Sequence, residues 1–148
     1  MTEVSLREVT AETVRQICRL RVTPEQEQFV APNPISFAEA LFHPTAWFRA
    51  IYAGDEPVGF VMLDDDAAKS EYYLWRLMLD AGQQRKGYGR RAVELVLGYV
   101  RTRPGATELR VSWVPGEGGP EGFYRGLGFE PTGEIDDGEV VARLPLER

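Results

Sequence analysis

The sequence predicts a mixed α+β fold: a twisted, mostly antiparallel sheet of about six or seven strands, flanked by helices, with one parallel strand pair. Three observations predict it. Stretches with strand patterning and stretches with helical spacing are interspersed along the 148 residues. Gly54-Asp55-Glu56-Pro57 and Asp136-Asp137-Gly138 have hairpin composition, and hairpins join antiparallel neighbours. Between Tyr72 and Val114 a strand, a loop, a helix and a second strand succeed one another, the connection that parallel strands require. No repeat, linker or low-complexity tail interrupts the chain, so residues 1–148 are read as a single domain.

The elements follow in order. Glu3 to Val9 alternates and predicts a first strand. Thr10 suits an N-cap, with Glu12 in the first turn and Val14, Ile17, Cys18 and Arg21 at helical spacing. Pro24 to Ala31 predicts a short second helix that Pro32-Asn33-Pro34 stops. Ser36-Phe37-Ala38-Glu39 has the capping-box pattern and predicts a new helix to about Phe42, before Pro44. Trp47 to Ala53 and Val58 to Leu63 read as paired strands, and Asp64-Asp65-Asp66 as the start of the next connection.

Tyr72 to Leu79 is aromatic or apolar except for Arg76, which predicts a strand covered on both faces. Arg76 there calls for an ion-pair partner, because an unpaired buried cation is costly. Beyond Gly89 the period changes: Gly89, Val93, Val96, Leu97 and Val100 share one face of an amphipathic helix that ends at Arg103-Pro104-Gly105. Glu108 to Val114 alternates as a fifth strand. After the glycine-rich Pro115 to Gly119, Pro120 opens a short helix with Phe123 and Leu127 on its buried face, Tyr124 off that stripe, and Gly128 at C′. Phe129 begins a last hairpin that returns over Glu139 to Leu144.

Composition narrows the function classes. Hydrophobic residues make up 43% and charged residues 27%, as in a soluble globular protein, and no apolar run approaches the roughly 20 residues of a membrane span. The N-terminus carries no basic-then-apolar signal pattern. Cys18 and His43 are each alone, so neither an intrachain disulfide nor a Cys/His metal cluster is expected. A cytoplasmic protein follows. The net charge of −6 disfavours nucleic acid and favours cationic substrates weakly.

Against that acidic background the cations Arg85, Lys86, Arg90 and Arg91 gather at one loop, around Gly87 and Gly89, where the amphipathic helix opens. The first amides of a helix lack intrahelical partners and carry partial positive charge. Two glycines let a ligand approach the backbone. The loop therefore suits an anion such as a phosphate, although a strand-turn-helix whose glycines serve only close packing has the same letters.

Gln84-Arg85-Lys86-Gly87-Tyr88-Gly89 resembles the Q/R-x-x-G-x-G/A loop of the GNAT superfamily of acyl-CoA N-acyltransferases. Gly122-Phe123-Tyr124-Arg125-Gly126-Leu127-Gly128-Phe129 resembles that family's F-Y-x-x-x-G-F motif, in the right order. The resemblance implies acetyl-CoA as cosubstrate. Leu77, Met78 and Leu79 would receive the pantetheine between the splayed parallel strands. Gln84, Arg85, Lys86, Gly87, Tyr88 and Gly89 would hold the pyrophosphate, and Tyr124 would be the acid for the departing thiolate. Phe29-Val30-Ala31-Pro32-Asn33, Ser36, Ala38-Glu39-Ala40 and Trp75-Arg76-Leu77-Met78 resemble the bacterial spermine/spermidine acetyltransferases. That implies a polyamine acceptor, with Phe29, Pro32, Asn33 and Glu39 at its site. The expected partner is a small-molecule amine, with a homodimer left open and neither nucleic acid nor membrane expected.

Two departures limit what carries over. Glu117 stands where the family often has an Asn that contacts CoA, and Ser112 where some members have a glutamate base. Glu25, Glu27, Glu39, Glu71 and a water relay all remain open as the base. So do other amine acceptors and a non-catalytic CoA-binding module on the same fold.

Overall fold

The computed structural model describes residues 2–146; Met1 and the last two positions of the predicted 1–148 domain, Glu147 and Arg148, lie outside the described residues. The described residues form one sheet of seven strands and four α-helices. The strands are β1 (Val4–Arg7), β2 (Ala46–Ala53), β3 (Glu56–Asp66), β4 (Glu71–Leu79), β5 (Glu108–Trp113), β6 (Glu130–Asp136) and β7 (Glu139–Pro145). The helices are α1 (Val14–Arg19), α2 (Asn33–Ala40), α3 (Tyr88–Val100) and α4 (Glu121–Gly126). The sheet order is β1-β2-β3-β4-β5-β7-β6. Every neighbouring pair is antiparallel except β4–β5, which is parallel. The last hairpin turns on Asp137 and Gly138 at φ 50° and 80°, the two positive values that a tight I′ connection needs.

The sheet buries both faces. On one, Val61, Leu63, Tyr72, Leu74, Leu109, Val111 and Trp113 pack with Ala92, Val93, Val96 and Val100 of α3 and Tyr124 of α4. On the other, Ala50, Tyr52, Phe60, Met62 and Met78 pack with Ile17 of α1 and Phe37 of α2. α3 stands where the 3.6-residue stripe places it, because four of its apolar side chains fall on one face and all four are buried.

β4 departs from regularity once. Leu63 pairs with Leu74 but Met62 pairs with Arg76, so Trp75 is an extra residue on β4, a β-bulge. Without the bulge, Trp75 and Arg76 would face opposite sides of the sheet. With it, both side chains serve the α1/α2 face: Trp75 packs with the cluster there and Arg76 bonds Glu39 of α2. The bulge also ends the pairing with β5, whose register comprises Tyr73↔Arg110 and Leu74↔Val111. Beyond Leu74 the two parallel strands part.

Several boundaries differ from the expectations. The chain between β1 and α1 is a turn before it is a helix: Thr13 and Val14 N–H both bond to Thr10 C=O, and Thr13, rather than Thr10, is the N-cap. Pro24–Gln26 is a single 3₁₀ turn, not a helix, because the side chain of Gln26 folds back onto the N–H of Thr23 and closes it. α2 begins at Asn33, with Pro34 tolerated in its first turn, so Ser36 is a buried residue inside the helix and not its cap. Asp64, Asp65 and Asp66 are still in β3. Asp64 accepts a 2.5 Å hydrogen bond from Thr45, and Asp65 accepts from the Tyr99 hydroxyl and from Arg103 Nε at 3.0 Å. An Asp65 whose carboxylate is bonded in this way needs no loop to solvate it.

α4 is turned the other way from the predicted stripe. Tyr124 is 7% exposed and Phe123 38%. With only six residues, α4 is oriented by its ends, Pro120 as N-cap and Gly128 at φ 104°, and by the rings it meets. The Tyr124 ring stacks on Trp113 at 5.7 Å and meets Phe129 edge-on at 5.6 Å.

Candidate active site

Where β4 and β5 part, a cleft of about 1080 Å³ opens. Its walls are Tyr73 to Leu79 of β4 on one side and Ser112 to Val114 on the other. The loop before α3, α4 and residues 26–32 complete the lining. The phase of β4 follows from one hydrogen bond, Asp80 N–H to Val58 C=O at 2.8 Å. Main-chain groups alternate sides along a strand, so those of Met78 and Arg76 face β3 and those of Leu77 and Leu79 face the cleft. The Leu79 carbonyl is taken by Gln84 Nε2 at 3.0 Å. Leu77, with no β5 neighbour, presents its N–H and C=O to the cleft.

The loop at the far end is shaped by two positive φ values, Arg85 at 63° and Gly87 at 85°. Gly87 is the N-cap of α3, and a Cβ placed on it would enter open space with no atom within 4 Å. That is a cradle facing a helix N-terminus. Gly89 serves another purpose as well: a Cβ there would lie 3.2 Å from the Phe123 ring, so it lets α4 close on α3. Arg85, Tyr88 and Arg90 line the cleft. Lys86 donates to Gln83 Oε1 at 3.2 Å and Arg91 pairs with Glu94 at 3.4 Å, and neither is among the lining residues.

The acceptor end is tied to this loop. Gln84 and Gln26 exchange two side-chain amide bonds, at 3.0 and 2.7 Å, and Arg21 meets Asp80 and Ala81 through its N–H at 2.8 Å and its C=O at 2.7 Å. Phe29 lies over the glycine-rich loop before α4: a Cβ on Gly119 would come within 3.0 Å of its ring. Gly116 and Gly119 thus let Phe29 roof the cleft.

Of the residues expected at the acceptor site, Phe29 and Pro32 line the cleft, while Asn33 and Glu39 do not. Asn33 is 1% exposed; its Nδ2 donates to Ile17 C=O at 2.9 Å and touches Met78 Sδ at 3.6 Å, so it fastens α2 to α1 and β4. Glu39 is committed to Arg76 at 2.7 Å, the partner that Arg76 required. Among the acids considered as the base, only Glu27 reaches the lining; Glu25, Glu39 and Glu71 do not. Glu117 is also outside it.

Tyr124 reaches the cleft although its ring is buried. Burial alone pushes its hydroxyl well above the usual tyrosine range, so it stays protonated. Beside it the Trp113 indole N–H is buried without a partner.

Three residues that sequence reasoning missed complete the acceptor end: Tyr73, Ser112 as a present donor, and Glu139. Ser112 Oγ donates to Glu139 Oε1 at 3.0 Å. Tyr73, paired with Arg110 two residues before Ser112, lines the same cleft, and burial raises its hydroxyl pKa, with Asp136 and Glu134 adding to the rise. Only the β5–β7 register, which sets Val141 against Ser112, brings Glu139 here. Alternation along the return strand places Glu139 on the face of Val141, but no feature of the sequence gives its register.

The model of the acetyltransferase (GNAT) family matches residues 12–129, most of the chain, and the protein belongs to that family. It is an acetyl-CoA-dependent N-acetyltransferase. Solved structures agree in fold. An acetyltransferase from Thermus thermophilus superposes with a TM-score of 0.76 at 18% identity, covering 99% of this chain and 100% of that one. The acetyltransferase from Salmonella typhimurium that modifies the N-terminal serine of ribosomal protein L7/L12 gives 0.79 at 14% identity, covering 99% and 97%. N-acetylglutamate synthase from Neisseria gonorrhoeae, complexed with coenzyme A and N-acetyl-glutamate, gives 0.75 at 17% identity, covering 100% of this chain and 36% of that one. Comparison with curated proteins gave no match. Among the described residues no helix is long and apolar enough to cross a membrane.

Proposed function

We propose that this N-acetyltransferase acetylates a primary amine of a polyamine, spermidine or spermine, in a ternary complex within the cleft. Acetyl-CoA supplies the activated acyl group. The cradle at Gly87, with the amides of Arg85 to Gly89 and the guanidinium group of Arg85, suits its pyrophosphate, while Arg90 beside it donates to Gly126 C=O at 3.1 Å. The cleft-facing N–H of Leu77 is the donor for negative charge developing on the carbonyl oxygen. Leu79 offers its N–H beside it, while Met78 contributes its side chain to the wall. Tyr124, held neutral by burial, donates a hydrogen bond to the departing sulfur.

The polyamine reading rests on one observation: the acceptor end is acidic on the side away from the cofactor loop. Glu139 lines it, and Glu134 and Asp136 lie close enough to act on Tyr73. An alkyl amine is protonated at neutral pH, with a pKa of about 10.4, so a second cationic nitrogen on the same molecule gains from these carboxylates. Phe29 and Pro32 would flank the methylene chain. With Cys18 free and half-buried, we read the protein as cytoplasmic.

The test is thiol release from acetyl-CoA with spermine, spermidine, lysine and a peptide N-terminal amine. We expect either polyamine to give the largest kcat/KM, falling as salt rises because exposed charges are screened over roughly 8–10 Å. Turnover of the peptide amine with none of either polyamine would end the polyamine reading.

A further inference from the structure

Acetyl transfer needs a base. At neutral pH only about one alkyl amine in a thousand is free of its proton. Two carboxylates line the cleft, Glu27 and Glu139. Glu27 lies on the exposed stretch after the Pro24–Gln26 turn, whereas Glu139 is half-buried and held by a serine.

Ser112 is placed to connect Glu139 to a substrate. It stands on β5 one residue past Val111, the last residue paired to β4, so it faces the newly opened cleft. A hydroxyl has one proton and two lone pairs. The proton of Ser112 is given to Glu139 at 3.0 Å. Its lone pairs remain for a donor in the cleft, which an ammonium group is. The charged groups around this set are Arg76 on β4, paired with Glu39 at 2.7 Å, Arg110 on β5, Glu134 and Asp136 on β6, and Glu139 itself on β7, opposite Asp136 in the hairpin register. Arg110 is occupied by Glu108 at 2.7 Å and lies 3.8 Å from Glu134. The surroundings are net anionic, which favours a cation entering.

We infer that Ser112 and Glu139 form the proton relay that deprotonates the attacking amine, with Tyr73 as the residue that positions Ser112. An ammonium N–H bond breaks as an O–H bond forms on Ser112 Oγ. The Ser112 proton passes to Glu139 Oε1. The nitrogen keeps the electron pair with which it attacks, and Glu139 ends the step as a neutral acid. This inference rests on acetyl transfer to an amine, and is independent of which amine is preferred.

The experiment is the pH dependence of kcat/KM from pH 7 to 10 for wild type, Glu139→Gln, Ser112→Ala and Tyr73→Phe. It uses the best acceptor, with acetyl-CoA affinity from calorimetry as a control. Without the relay, only amine already neutral in solution can react. Glu139→Gln should therefore lose about 100-fold at pH 7, within the range of general base catalysis, and recover to within several-fold near pH 10. Ser112→Ala should show the same convergence. Tyr73→Phe should show a smaller loss of the same shape, and Glu139→Asp should recover part of the rate at pH 7. A loss that is constant across pH marks a structural role and overturns the relay, as does a wild-type profile in Glu139→Gln. A wild type that acetylates no amine overturns the relay and the functional reading together, and differs from those results because all proteins are then equally inactive.

Discussion

Replacing Tyr124 by phenylalanine tests how the departing thiolate is handled. The change removes one oxygen and leaves the ring against Trp113 and Phe129. Burial is what raises its pKa, with no charged group contributing, so the hydroxyl has no ionic partner to lose. Folding stability should shift by no more than about 1 kcal/mol. The catalytic cost follows from the same shift. A thiol has a pKa of about 8.5 and an unperturbed tyrosine about 10, so complete proton transfer to the thiolate is uphill by at least about 2 kcal/mol. A phenol pushed higher still is a better hydrogen-bond donor than proton donor here. Hydrogen bonds to charged groups contribute roughly 1.5–3 kcal/mol, which is about 10- to 150-fold in rate at 1.36 kcal/mol per decade. We expect kcat to fall by that factor and acetyl-CoA affinity to hold, since the interaction is made only as the bond breaks. Because the hydroxyl stays protonated, Tyr124 should impose no fall in kcat below pH 10. The measurement is kcat at saturation of both substrates, with independence from solvent viscosity showing that chemistry limits the rate. A folded Tyr124→Phe enzyme with wild-type kcat under those conditions would refute the assignment.

Two further outcomes follow from the cofactor loop and the far end of α3. Gly87→Val places a side chain in the cradle and forces a β-branched residue to φ 85°, a strain of roughly 1–2 kcal/mol. Calorimetry should show acetyl-CoA binding at least about tenfold weaker with the fold retained, and unchanged affinity would remove the cradle as the pyrophosphate site. Tyr99, half-buried and bonded to Asp65, is pushed up to about 12, with burial the first cause and the bond to Asp65 the second. A raised pKa stabilises the fold fully below the unfolded value of about 10, and that stability is lost as pH rises toward the folded value. Tyr99→Phe should therefore flatten the fall in melting temperature between pH 10 and 12, and an identical alkaline profile would show that this hydroxyl does not carry it.

What could be read from the sequence was whatever is local. The Tyr72–Val100 strand, loop and helix were legible because apolar run, glycines and 3.6-residue stripe all act within a few residues. The hairpin at Asp137-Gly138 was legible because positive φ restricts residue choice. The acceptor end was not. Asn33 and Glu39 have the right chemistry for a ligand, but Ile17 C=O and Arg76 claim them, and both partners are remote in sequence. Conversely, Ser112 and Glu139 are 27 residues apart and meet only through the β5–β7 register. Tyr124 was misjudged because a six-residue helix has too few positions for a stripe to orient it, and Trp113 decides the matter instead.

The bulge at Trp75 is the feature on which the site depends most, and it explains why an arginine sits in the middle of the sheet. A regular β4 would keep pairing with β5 past Leu74, occupying the main-chain groups of Leu77 and closing the cleft. One extra residue bends the strand away, and the cost is a break in the ladder with β3. Arg76 helps to hold the bulged form. Only with the bulge does its side chain reach the α1/α2 face, where Glu39 takes it at 2.7 Å and leaves it 16% exposed. Slipping the register to remove the bulge would turn Arg76 toward the apolar core around α3, among Val61, Leu74 and Val93, and away from Glu39. The ion pair with Glu39 therefore selects the conformation of β4 that leaves Leu77 open to the cleft, although Glu39 itself stands outside the cleft's lining.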